Sequence, residues 1–191
     1  MVHHFPGPAG RIEALVDNPG AACTTGRGEM ASPPRATVVI AHPHPLYGGT
    51  MHTKAVYQVA KAFCRLGCAV VRFNFRGVGA SEGRFGEGLG EMEDYWSALE
   101  FASSRYPDAE LWAVGVSFGA WVAMSAGAND DRVTTLVGIA PPVAMYDFST
   151  VRESAKAKFF VAGERDEVCP VRALREFYAQ ASEPKDLVVI D

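Results

Sequence analysis

No apolar run in this 191-residue chain reaches the ~18 residues that a membrane-spanning helix requires. Basic excess is missing too. Against 22 Asp and Glu stand only 18 Lys and Arg, and the net charge of −4 offers no footprint for nucleic acid. Cysteine is sparse: Cys23, Cys64, Cys68 and Cys169 are scattered without the paired spacing of a zinc site, which suits reduced thiols in a cytoplasmic protein. Cys64 and Cys68, four apart on an expected helix, read as small buried hydrophobes sharing a face rather than as metal ligands. The opening Met1-Val2-His3-His4-Phe5-Pro6-Gly7 lacks the charged start and apolar core of a secretory signal. Internal repeats and low-complexity tracts are absent. At 48% apolar and 21% charged residues the composition is that of a soluble globular chain, and the length fits one domain spanning 1–191 with a substantial core.

Against these absences stands Gly115-Val116-Ser117-Phe118-Gly119. Leu111-Trp112-Ala113-Val114 ahead of it reads as a buried strand, and Ala120-Trp121-Val122-Ala123-Met124 behind it as a buried helix. Strand, G-x-S-x-G, helix is the setting of a nucleophile elbow. A turn that tight strains the serine backbone and lifts its hydroxyl clear of the sheet, while the flanking glycines let neighbouring backbone approach.

The rest of the chain alternates strand and helix. Strands are expected over 11–17, 37–41, 69–75, 111–114, 133–140, 158–162 and 187–190. Helical spacing runs over 51–66, closed by Gly67, over 92–102, from 120 onward, and from Pro170 through Ala181. A loop rich in Gly, Pro, Ser and Thr fills 21–35. Such alternation predicts right-handed βαβ units and a mostly parallel sheet covered on both faces, with ligands bound beyond the carboxyl ends of the strands.

A serine hydroxyl needs a base, usually a histidine oriented by a carboxylate, and N–H donors for the oxyanion. In an elbow the first donor is the N–H after the nucleophile, here Phe118. The second is expected from His42-Pro43-His44-Pro45-Leu46-Tyr47-Gly48-Gly49; the prolines carry no N–H, so His44 is favoured, with Leu46 next. The orienting acid is expected in Gly163-Glu164-Arg165-Asp166-Glu167-Val168-Cys169-Pro170, with Asp166 the candidate and Asp147 the alternative one strand earlier.

The whole chain resembles the α/β-hydrolase superfamily, and within it is most similar to small, lid-poor bacterial members such as dienelactone hydrolases and serine aminopeptidase-like hydrolases. The resemblance is carried by Ala41-His42-Pro43-His44-Pro45 with Gly48-Gly49-Thr50-Met51, by the segment from Arg72 to Gly83, by Gly115–Gly119, and by Gly163, Asp166 and Pro170. It implies an α/β-hydrolase fold and a triad whose histidine follows the last core strand. Here the sequence departs from the pattern, for no histidine occurs after His52. The expectation is that the catalytic histidine and a final helix lie beyond residue 191. His42 or His44 as a substitute base is a weaker reading because the resemblance implies a supporting role in the loop for the histidine at position 42, and His42, His44 and His52 as a metal site is weaker because no carboxylate or cysteine joins them at ligand spacing. His52 fits the first turn of a helix. Arg76 and Ser81 are expected to shape the floor of the site. The glycines around them lack the spacing of a phosphate loop.

The expectation is therefore a serine hydrolase that cleaves a small carboxylic ester, thioester or amide through an acyl-enzyme on Ser117. Asp166 serves as the acid and Phe118 and His44 as the oxyanion donors, with a small-molecule substrate, no cofactor and no metal. The stretch between Pro141-Pro142 and the strand at 158–162 is too short for a large lid domain. Two alternatives are a short-peptide hydrolase with the same triad and a non-catalytic binding module on the same fold.

Overall fold

The computed structural model describes residues 2–19 and 33–191. Cys23 and most of the loop expected over 21–35 lie outside the described residues. Eight strands form one sheet: β1 (Val2–Gly7), β2 (Gly10–Asp17), β3 (Ala36–Ala41), β4 (Ala69–Phe73), β5 (Glu110–Val116), β6 (Val133–Ile139), β7 (Ala157–Gly163) and β8 (Lys185–Ile190). Their spatial order is β1-β2-β4-β3-β5-β6-β7-β8. β1, β2 and β4 pair antiparallel, and every pair from β4 to β8 is parallel. This is the α/β-hydrolase fold that the motifs imply.

Period-two alternation divides each central strand between two cores. Val38 and Ile40 of β3 and Val114 and Val116 of β5 pack against α1 (Lys54–Arg65) through Val56, Ala60 and Cys64. Val39, Ala41, Leu111 and Ala113 face the other way. There they meet α2 (Leu89–Arg105) and α3 (Phe118–Ala128), whose Tyr95, Leu99, Val122 and Ala123 are buried. Burial on both faces is why these strands are unbroken apolar runs rather than alternating ones. Tyr95 ties the layers together, donating to the Val39 carbonyl at 2.8 Å and accepting the Val114 N–H at 3.1 Å.

Several local expectations need correction. β1 was not expected, and α4 (Ser149–Glu153), between β6 and β7, is likewise new. Cys68 does not share a helix face with Cys64. Helix α1 ends at Arg65, Gly67 takes a left-handed φ of 84°, and Cys68 lies just ahead of β4. His52 sits in the turn before α1, and α5 (Val171–Gln180) starts one residue after Pro170. Among the described residues no helix is long and apolar enough to cross a membrane.

Candidate active site

Ser117 follows β5 directly and caps α3, with φ 55° and ψ −124°. For a residue with a Cβ, positive φ is strained, and a strand passing into a helix at one residue leaves no other course. The turn is pinned by the Ser117 N–H donating to the Ile139 carbonyl at 2.8 Å and by the Ala120 N–H donating to the Ser117 carbonyl at 2.8 Å. Both motif glycines are required by close approach. A Cβ on Gly115 would overlap the Gly119 carbonyl, and one on Gly119 would overlap the carbonyls of Ala41 and His42. Helix α3 therefore starts against the carboxyl end of β3, bringing residues 42–44 alongside Ser117.

The loop after β3 is tightly wound. The Tyr47 and Gly49 N–H groups donate to the His44 carbonyl, each at 3.1 Å, and the Leu46 N–H donates to His44 Nδ1 at 3.2 Å. Leu46, the second-ranked oxyanion donor, is therefore occupied. Among the described residues the N–H groups of His44 and Phe118 have no acceptor. Met51 fastens the far end of the loop, its N–H donating to Asn74 Oδ1 at 2.8 Å and its carbonyl accepting from Arg72 at 3.0 Å. Arg72 itself is buried in a two-point pair with Asp17, at 2.6 and 3.1 Å.

His42 is fully buried with both ring nitrogens engaged. Its Nδ1 lies 2.6 Å from the Pro43 carbonyl, and Nε2 accepts the Phe75 N–H at 3.1 Å. Burial pushes its pKa down to about 4, against the opposing pull of the Pro43 carbonyl. A ring so committed has no nitrogen left to take a proton from Ser117. The His44 pKa is also lowered by burial, with the Glu91 carboxylate acting the other way. No described histidine hydrogen-bonds Ser117 or Asp166.

Asp166 lies in the loop after β7. Its Oδ1 accepts the Val168 and Cys169 N–H groups at 3.0 and 2.8 Å, while Oδ2 accepts no hydrogen bond among the described residues. Gly163, Asp166, Ile190 and Asp191 line one cleft where β7 and β8 end. Cys169 brings this loop against the elbow, where the Ser117 side chain draws the thiol pKa downward. Burial first, and the Asp166 carboxylate second, push the Cys169 pKa up to about 11. Asp147, the alternative acid, is spent differently: its Oδ1 accepts the Ser149 N–H and its Oδ2 the Ser149 hydroxyl, at the start of α4.

The remaining candidates are structural in their contacts. Arg76 spends its guanidinium on Asp94 and Glu93, leaving no free fork for a phosphate. Ser81 donates to the Asn74 carbonyl and accepts the Glu13 N–H. Among the described residues no group of three His, Cys, Asp or Glu side chains is placed to hold a metal ion. Two neighbours of Ser117 escaped the sequence reading. Cys169 lies three residues past Asp166. Trp121 lies one helical turn past Ser117, and its N–H reaches the Ser117 carbonyl at 3.4 Å. The i, i+4 spacing from Ser117 was the signal for Trp121.

A sheet of this order with a serine at the turn from β5 into α3 defines an α/β serine hydrolase. The chain belongs to the family described as serine aminopeptidase, S33, which it matches over residues 32–157. It is similar to an alpha-beta serine hydrolase homologue from Coxiella burnetii, at 37% identity and a TM-score of 0.88, covering 100% of this chain and 86% of that one. A serine hydrolase without a lid from Xanthomonas campestris gives 33% identity and a TM-score of 0.88, covering 100% and 83%. An uncharacterized protein of Rickettsia prowazekii is 34% identical over 193 residues, or 98% of this chain and 76% of its own length.

Proposed function

We propose that this hydrolase cleaves small carboxylic esters by acyl transfer to Ser117. The observation that carries the reading is the elbow itself: Ser117 at φ 55°, with the Phe118 and His44 N–H groups left without acceptors beside it. Ser117 Oγ attacks the ester carbonyl carbon, its proton passes to a base, and the carbonyl oxygen becomes an oxyanion held by those two donors. Each such donor is worth about 3–4 kcal/mol to the transition state. The C–O bond to the alcohol then breaks, and the alcohol leaves with the proton. Water attacks the acyl-enzyme by the same route, releasing the acid and restoring Ser117.

The base in this scheme is a histidine oriented by Asp166, a role that none of the described histidines is hydrogen-bonded to fill. Three observations support that assignment. His42 has no free nitrogen, Asp166 Oδ2 accepts no hydrogen bond among the described residues, and Asp166 lines a cleft where β7 and β8 end. Residues 140–156, with the five-residue α4 as their only α-helix, connect β6 to β7, a passage too short for a large lid, which suits an open site and small or exposed esters. No metal or cofactor enters the scheme.

Hydrolysis of p-nitrophenyl acetate and butyrate by the full-length protein tests the reading. Ser117→Ala should lower kcat by at least about 10⁴-fold, and Asp166→Asn by a smaller but large factor. Turnover that survives Ser117→Ala would refute it. The family's description favours one rival, cleavage of short peptides, and p-nitroanilides turned over faster than the matching esters would establish that instead. A protein that hydrolyses neither and takes no fluorophosphonate on Ser117 would favour the binding-module alternative.

A further inference from the structure

The elbow adjoins a band of aromatic rings that packs on the core along its inner side and is open to solvent along its outer side. Around the Phe118 ring, centroids lie at 4.7 Å for His44, 5.7 Å for Trp121, 5.8 Å for Tyr146, 6.0 Å for Phe75 and 6.1 Å for Phe85. Trp121 and Tyr146 stack at 4.5 Å with 19° between their planes, and His44 continues the band to Tyr47 at 4.8 Å. The rings come from α3 and from the loops after β3, β4 and β6. Phe118 and Phe75 are buried. His44, Phe85, Trp121 and Tyr146 are partly open, and Tyr47 is 88% exposed. A cluster serving the core alone would be closed to solvent, and this one is not.

The band is also held in shape. The Trp121 indole donates to the Asp147 carbonyl at 2.9 Å, and His44 Nδ1 accepts the Leu46 N–H. Burial first, then the charge of Tyr47, raises the Tyr146 pKa. Exposed Leu46 and Met145 extend the apolar surface from the loops carrying Tyr47 and Tyr146.

We propose that this band is the acyl pocket, and that it selects esters whose acyl group carries an aromatic ring. In an acyl-enzyme the acyl carbon is bonded to Ser117 Oγ and its oxygen points at the Phe118 N–H. The rest of the acyl group then extends past the residues nearest in the helix, Phe118 and Trp121. An aromatic acyl group can pair edge-to-face or offset with fixed rings, which an alkyl chain of similar area cannot. Each such pair is worth about two- to tenfold in affinity.

This assignment rests on acyl transfer at Ser117, and one set of substrates separates the two. With the full-length protein, kcat/KM is compared for methyl 3-phenylpropionate, methyl hexanoate and 2-phenylethyl acetate. The phenylpropionate should exceed the hexanoate by about fivefold or more. Tyr146→Leu should bring that ratio close to one, and Tyr146→Phe should keep it. If Tyr146→Leu does not fold, the exposed Tyr47→Leu should lower the ratio in its place. Equal rates for the two methyl esters, or a preference confined to 2-phenylethyl acetate, would overturn the aromatic acyl pocket and leave acyl transfer standing. Failure to hydrolyse any of the three, together with no modification of Ser117 by a fluorophosphonate, would overturn the acyl-transfer reading and the pocket with it.

Discussion

His42 shows how one residue can anchor a site while taking no part in proton transfer. Buried between the Pro43 carbonyl and the Phe75 N–H, it must be neutral in the folded protein, with its pKa lowered to about 4 by burial. The unfolded chain takes up a proton near pH 6.5, so below that pH the unfolded state binds protons that the folded state refuses. His42 therefore contributes full stability above about pH 6.5, and that contribution is lost as pH falls toward about 4. The span corresponds to roughly 3 kcal/mol. Urea unfolding at pH 7.5 and pH 4.5 checks the sign: the midpoint should fall with acid, and His42→Gln should flatten the difference. An equal drop in both proteins would place the acid sensitivity elsewhere.

At the scale of elements, the packing of α3 against β3 and β5 decides where Ser117 stands. The contact is made by backbone at Gly115 and Gly119, with no room for a methyl group. Gly119→Ala should push the start of α3 away from Ala41 and His42, costing about 1–3 kcal/mol or more and moving the Phe118 N–H relative to the loop after β3. Thermal melting and ester turnover should fall together, and a fully stable, fully active Gly119→Ala protein would contradict the close approach. Elements with long-range support were legible in the sequence. β3 and β5 announce themselves as apolar runs because two cores claim their side chains, and α1 does so by its spacing. β1 was not legible, because Pro6 and Gly7 end a short edge strand whose polar His3 and His4 break the pattern. Such a strand is tolerated only because it pairs on one side. α4, with five residues, is too short to show a helical period. Cys64 and Cys68 misled by their spacing, since the left-handed turn at Gly67 falls between them.

Across the whole molecule, one sheet gathers residues far apart in sequence. The carboxyl ends of β3, β5 and β7 carry His42 to His44, Ser117 and Asp166, and the order of alternating segments was enough to expect all three at one edge. What flanks Ser117 was not legible. Cys169 and Tyr146 reach it or its neighbours through loop paths and ring contacts that no periodicity encodes, and only Trp121, one helical turn on, left a signal in its i, i+4 spacing. Nor did the sequence disclose that both nitrogens of His42 are spent, because their partners Pro43 and Phe75 are backbone groups. The account stands on Ser117 as the group that becomes covalently modified. Its most direct test is mass spectrometry of the full-length protein after reaction with a fluorophosphonate, with peptide mapping of the adduct. One adduct per chain on Ser117, absent from Ser117→Ala, is the predicted result, and an adduct on another residue, or one that persists in Ser117→Ala, would contradict it.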